Sequence, residues 1–276
     1  MGDFDEGLGT VYERLVMNDI FDRLMETFSI KNVLEVPVYG MTGLTGINSV
    51  EFTNKGCSLT TVDNSLERIE ESKELWGLIR PNERIKFCYA DGFSELPFKD
   101  NSFDLVWNFA ALWHIEDAPS LIEEMVRVSS NLVFISVQNN RQIGYYLRKY
   151  LIDRKLFTEV YETWLNLSLI RDLLAKNGTK IVEQGVFDIP PFPDIAMPIS
   201  ELFTKVGLRR GARRMGKGDT QRKRWKWNIV DYYTGKDPQL NKRLRKFMFI
   251  ENSPLPSRLK ALWAHHRYIL AQKGIR

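Results

Sequence analysis

Three acidic residues close three successive apolar runs: Glu35 in NVLEVPVYGMTGLTG, Asp63 at the end of SLTTVD, and Asp91 after RIKFCYA. A carboxylate at the end of a second strand can accept hydrogen bonds from both ribose hydroxyls of an adenosine ligand, and Asp63 has that position. The same side chain could simply cap the next helix. Gly40 and Gly43 lie in the turn after Glu35, where the missing Cβ lets backbone approach a ligand closely. Their spacing is not that of a phosphate-cradling GxxxxGK[ST] loop, since no Lys–Ser/Thr pair closes it.

Other chemistry-bearing residues are few. His114 could act as a general base or could contribute only shape at a helix start. Trp107, Trp113, Tyr145 and Tyr146 could line an apolar cleft or belong to the core. His265 and His266 are adjacent, and on a helix they would diverge, which makes them a poor metal pair beside an i, i+4 arrangement. Cys57 and Cys88, the two cysteines, lack a CxxC or Cys/His cluster, so neither a disulfide framework nor a zinc site is expected.

The elements that would position these residues follow from hydrophobic period. Residues 8–28 place Val11, Leu15, Ile20, Leu24 and Phe28 at helical spacing, an amphipathic helix. Strands are predicted at 31–37, 58–63, 84–90, 103–108 and 131–137, with helices through about residue 78, capped by Asn64 and Ser65, and around 118–128. Alternation of this kind predicts a doubly wound, mostly parallel α/β sheet with helices on both faces, whose ligands bind where the strands end. Residues 139–164 read as a helical insertion, 166–176 as a helix and 179–187 as a strand. Four prolines mark 190–198 as a loop. A last strand is expected at 242–251 and a C-terminal helix at 257–272, with Leu259, Leu262, Trp263, His266, Ile269 and Leu270 along one face. The organisation is therefore a core over 1–187, a basic insertion over 188–241 and core-completing elements over 242–276.

Residues 90–106, ADGFSELPFKDNSFDLV, with WNFAALWHIED after them, resemble the middle of the class I S-adenosylmethionine (SAM)-dependent methyltransferases. The likeness is greatest to the small-molecule group that includes quinone and sterol methyltransferases, and it runs over about residues 30–137. The resemblance implies a seven-stranded Rossmann-like fold and SAM as cofactor. It further implies that Glu35, with backbone near Gly40 and Gly43, holds the methionine amino group. Asp63 would hold the ribose, with Asn64 near the adenine. Asp91 would accept from the adenine amino group, Gly92 or Phe93 would offer a backbone N–H, and Asn108 with Phe109 would close the pocket. The loop departs from the family's glycine pattern, with Pro37 where the first glycine normally stands and Tyr39 ahead of Gly40.

Methyl transfer from a sulfonium needs alignment more than a catalytic side chain. His114 is the catalytic candidate, and Tyr12, Trp113 and Tyr146 are the substrate candidates, with the N-terminal helix and 139–164 folding over the end of strand four as a lid. No NPPY-type adenine-methylating motif follows strand four.

The net charge of +4 conceals an asymmetry. Residues 205–276 hold 20 Lys+Arg against 4 Asp+Glu, whereas the rest holds 19 against 31. Within 205–226, ten cations lie near Trp225 and Trp227 against the single acid Asp219. That run suits an anionic membrane surface, single-stranded RNA or plain solvation. The acidic N-terminus and the lack of a long apolar stretch predict neither a signal peptide nor a membrane span, and so a cytoplasmic protein with possible peripheral membrane contact. The expected acceptor is a small apolar or lipid-like molecule; RNA methylation and non-catalytic SAM binding are the alternatives.

Overall fold

The computed structural model describes residues 6–38, 44–79, 85–152, 154–191 and 227–274. Seven strands form one sheet: β1 (Asn32–Glu35), β2 (Ser58–Asp63), β3 (Ile85–Tyr89), β4 (Phe103–Phe109), β5 (Ser129–Gln138), β6 (Thr179–Phe187) and β7 (His266–Lys273). Their order is β3-β2-β1-β4-β5-β7-β6. The first five pair in parallel, whereas β7 runs antiparallel between β5 and β6. The chain leaves β1 toward β3 and returns to start again at β4. The crevice at the β1/β4 ends is therefore the switch point where such sheets take ligands.

Each face of the sheet carries its own core, because the strands are buried on both sides. One face packs α1 (Leu8–Thr27), α2 (Val50–Asn54) and the buried side of α3 (Leu66–Ile79) against Val33, Leu105, Trp107, Phe134 and Tyr268. α7 (Ile229–Tyr233) and α8 (Leu240–Arg245) join that face through Ile229, Leu240 and Leu244. The opposite face packs α4 (Ala118–Val128) and α6 (Leu167–Lys176) against Leu34, Val62, Val106, Val133 and Ile269. α4 starts where Asp117 accepts the Ser120 N–H, with Pro119 in the first turn, and α6 starts where Asn166 accepts the Ser168 N–H. Both are ordinary N-caps.

The predicted segment 139–164 is more broken than expected. It forms α5 (Ile143–Leu147), one π turn over Arg148–Ile152 and two short 3-10 turns. The C-terminal expectations are overturned. Residues 242–251 are not a strand: Leu240, Leu244 and Met248 recur every four residues, and α8 and the turns after it bury that stripe. Residues 257–272 are not a helix either. A four-residue α9 (Ser257–Lys260) gives way to β7, whose Tyr268, Ile269, Leu270 and Ala271 are buried on alternating faces. A strand covered on both sides shows no apolar/polar alternation, so its spacing passes for a helix.

Candidate active site

Glu35, Asp63 and Asp91 lie at the C-terminal ends of adjacent parallel strands. Glu35 is the last residue of β1 and pairs with Thr61 of β2, two residues short of Asp63. Asp63 pairs with Tyr89 of β3, two residues short of Asp91. The three acids thus step along one sheet edge, with strands about 4.8 Å apart.

Glu35 is buried. Its carboxylate accepts from Ser49 Oγ at 2.5 Å, and Ser49 Oγ in turn accepts from Trp107 Nε1 at 3.0 Å. Burial pushes the Glu35 carboxyl up to about 7, although Ser49, Arg14 and Asn48 pull the other way. Arg14, buried on α1, donates to Asn48 Oδ1 and to the Leu44 carbonyl and pairs with Glu6. The loop beyond the glycine turn is thereby tied to the first helix. Gly46 belongs to that loop with φ +76°, and a Cβ there would stand 2.4 Å from Ser72 Oγ, so only glycine fits.

Asp63 is fully buried. Its Oδ1 accepts the Ser65 N–H at 2.8 Å and Arg68 at 2.6 and 2.8 Å, whereas Oδ2 is buried with no hydrogen-bond partner. Asn64 is exposed, and its Oδ1 accepts from Arg68. Asp91 is exposed and accepts from Tyr89 Oη at 3.2 Å. With Ala90, Gly92, Ser94 and Glu95 it lines a cleft of about 370 Å³. Phe93 is half-buried against the second core.

Asn108 plays a framework part. Its Nδ2 donates to the Val36 carbonyl at 2.8 Å, stitching β4 to the end of β1. Phe109 points to the opposite face, against the His266 ring. Gly40 and Gly43 lie outside the described residues, as does the basic run 205–226. Trp227, expected beside that run at an interface, packs on the first core with the Arg243 guanidinium 5.9 Å from its ring.

The acceptor candidates separate. Tyr12 is wholly buried in the α1-side core, its hydroxyl donating to the Ile189 carbonyl. Even-numbered residues of β4 face the other core, so Asn108 and Trp113 lie across the sheet from Tyr12. The lid expectation therefore fails for α1, which is a core helix with Val11, Tyr12, Leu15, Val16, Met17 and Phe21 all buried. Tyr146 is exposed and stacks on Tyr150. Its neighbour Tyr145 turns inward toward Phe157 and bonds Glu162. Trp113 is buried against Phe157, and its carbonyl accepts the Tyr161 N–H. His114 stands beside it in a 3-10 turn, and burial lowers its ring to about 4.

A second polar cluster lies at the same sheet edge, where β6 ends and β7 begins. Asp188 Oδ2 meets His265 Nδ1 at 2.9 Å and His266 Nδ1 at 3.4 Å, and Glu13 of α1 reaches His266 at 3.9 Å. The two histidines converge rather than diverge, because β7 starts at His266 instead of lying within a helix. Burial raises Glu13, and it raises Glu251 to about 7. At Asp188 burial acts the same way, but His265 and His266 outweigh it and hold the carboxyl below its ordinary range. The adjacent histidines were the one visible signal of this cluster.

A strand-end row of acids on a sheet of this order defines a Rossmann-like class I methyltransferase fold. A family model described as a methyltransferase domain matches residues 41–132. The O-methyltransferase resE of Aspergillus sclerotiorum is 29% identical over 85 residues, which is 30% of this chain and 32% of that protein; the chain thus spans about a third of that relative's length. Magnesium protoporphyrin IX methyltransferase from Synechocystis PCC 6803, solved with bound SAH, superimposes with a TM-score of 0.54 at 12% identity, over 96% of this chain and 84% of that one. A sarcosine dimethylglycine methyltransferase from Galdieria sulphuraria gives 0.52 at 14% identity, over 93% and 85%. The match to the methyltransferase-domain family thus covers a third of the chain, and the fold of the whole is the Rossmann-like one of these solved methyltransferases. Among the described residues no helix is long and apolar enough to cross a membrane.

Proposed function

We propose that the protein transfers the methyl group of SAM to a small, apolar or lipid-like acceptor. The observation that carries the cofactor reading is the buried, unbonded Asp63 Oδ2 between Glu35 and the Asp91 cleft. A buried carboxylate oxygen without a donor is costly unless a ligand hydroxyl completes it. Asp63 would take the ribose hydroxyls, Glu35 the ammonium of the methionine portion and Asp91 the adenine amino group. SAM supplies an electrophilic methyl on a good leaving group. The chain's own part is to bind, to orient and to exclude water.

For the acceptor, the aromatic cluster of Trp113, Tyr145 and Phe157, whose rings pack edge to face, favours an apolar molecule. It lies on the Asn108 side of the sheet, next to the end of β4. Calorimetry with S-adenosylhomocysteine tests the cofactor reading, and mass spectrometry of extracts incubated with labelled SAM tests the acceptor. No heat of binding across a broad concentration range would overturn the first. Label carried only by nucleic acid would overturn the second.

A further inference from the structure

We propose that Glu13, Asp188 and His266 form a site for a divalent transition metal of the zinc type. The three residues come from α1, the turn after β6 and the start of β7, and all three are buried. One ligand atom from each lies within 4.8 Å of the other two. The separation of 3.4 Å from His266 Nδ1 to Asp188 is that of neighbouring ligands on a tetrahedral ion, and the 3.9 Å to Glu13 would close by about 0.5 Å around one. Zinc bonds of about 2.0–2.1 Å place neighbouring ligand atoms roughly 3.3–3.5 Å apart.

Two further observations point to a cation. Asp188 Oδ1 and His266 Nδ1 are buried polar atoms with no hydrogen-bond partner, so the cluster does not satisfy itself. Carboxylates also crowd the cluster: Glu13 and Asp188 are both buried beside the two imidazoles, and the partly buried Glu251 accepts the Ile189 N–H next along the chain from Asp188. The cations near them are engaged elsewhere, Arg14 with Glu6 and Asn48, and Lys260 with the Glu251 carbonyl. Buried carboxylates need a partner charge.

The surroundings are those of a held ligand set. His265 Nδ1 lies 2.9 Å from Asp188 Oδ2, and the His265 backbone N–H donates to the Asp188 carbonyl at 2.9 Å. This is the outer support that fixes a ligating carboxylate. The Phe109 and Phe187 rings flank His266 at 5.0 and 5.2 Å and shield it from water. One nitrogen and two carboxylate oxygens favour zinc or a neighbouring transition ion over magnesium, which prefers an all-oxygen octahedron. Three protein ligands leave a fourth position open.

The test uses the untagged full chain, stripped with a chelator and then titrated with zinc, with elemental analysis after gel filtration. One zinc per chain is expected, with a rise in Tm that magnesium does not reproduce. Glu13→Gln and His266→Gln should each lose the metal, whereas His265→Gln should keep it with affinity reduced about 10–100-fold. Circular dichroism checks that the variants fold. If they do not, the cobalt-loaded wild type decides, by showing or lacking the visible bands of a tetrahedral site. Failure of the wild type to take up stoichiometric zinc, or equal uptake by folded Glu13→Gln and His266→Gln, overturns the proposal. S-adenosylhomocysteine calorimetry on the same samples is read separately, so a failure here leaves the methyl-transfer reading standing.

Discussion

Arg68 donates to Asp63 Oδ1 from two nitrogens, at 2.8 and 2.6 Å, and Asp63 Oδ2 is left buried and unbonded. The arginine holds the carboxylate in place, and the second oxygen is the part offered to a ligand. Asp63→Ala is expected to weaken S-adenosylhomocysteine binding by about 1–3 kcal/mol, the cost of an unpaired buried polar group. Arg68→Ala should cost less, because it loosens the carboxylate without removing it. Calorimetry on both variants checks the order; unchanged affinity in Asp63→Ala would remove that residue from the site.

Glu35 gives a pH dependence whose sign is fixed. Its carboxyl is raised to about 7 by burial, and a cationic ammonium binds the ionised form. Affinity should therefore fall as pH drops through 7, and Glu35→Gln should flatten the profile while weakening binding throughout. Without ligand the sign reverses. An acid raised on folding contributes stability below its unfolded pKa and loses it as pH rises through the folded one. Glu35→Gln should then melt higher than wild type at pH 8 and equally at pH 5. The pH 8 difference should be on the order of 3 kcal/mol. Melting curves at the two pH values provide the check.

The first helix is a load on the core rather than a cover for the site. Phe21 is fully buried, with ring centroids 4.3 Å from Phe52 and 4.9 Å from Trp107. Phe21→Ala should cost about 3–5 kcal/mol, and removing residues 1–20 should prevent folding. A truncated chain with a native near-ultraviolet spectrum would contradict this packing.

Gly46 offers a local test. With φ +76° and Ser72 Oγ 2.4 Å from any Cβ, Gly46→Ala should destabilise by about 1–3 kcal/mol. Adding Ser72→Ala removes the nearest contact, but Ser72 Cβ at 2.9 Å, Val38 Cγ1 at 3.0 Å and the backbone strain remain. Denaturant titration of the double variant should recover part of the loss and not all.

His114 is a weak base in this setting, since burial holds its ring near 4. It is neutral from pH 5 to 8. His114→Asn should leave the shape of the pH–kcat profile unchanged in that range; loss of an acidic limb near pH 6.5 in the variant would restore it as the general base.

Much of this was legible locally. β2, α4 and β6 match their predicted bounds because their apolar runs end at clear caps and turns, as at Asp117 and Gly178. The positions of the three acids were legible because Glu35 and Asp63 end their apolar runs and Asp91 comes two residues after one. What failed was set by distant partners. β7 is a strand because β5 and β6 lie on either side of it, which the spacing of Leu262, His266 and Ile269 does not record. Tyr145 rather than Tyr146 turns inward because α5 is short and runs into a π turn. The Glu13–Asp188–His266 cluster draws on three separated segments, so no window of sequence contains it.

The position of β7 has a consequence for synthesis. Among the described residues β6 pairs with β7 and with no other strand, so once residues 179–187 have been made they remain an unpaired edge until residues 266–273 follow. Throughout the translation of residues 188–265 that strand has exposed N–H and C=O groups and a neighbour still to come. An edge of this kind is a template for pairing with other chains. A pause by the ribosome within 188–265 would therefore lengthen the interval in which a half-made sheet can aggregate or recruit a chaperone. Synonymous codon changes in that stretch should alter the soluble yield without changing a single residue of the finished protein.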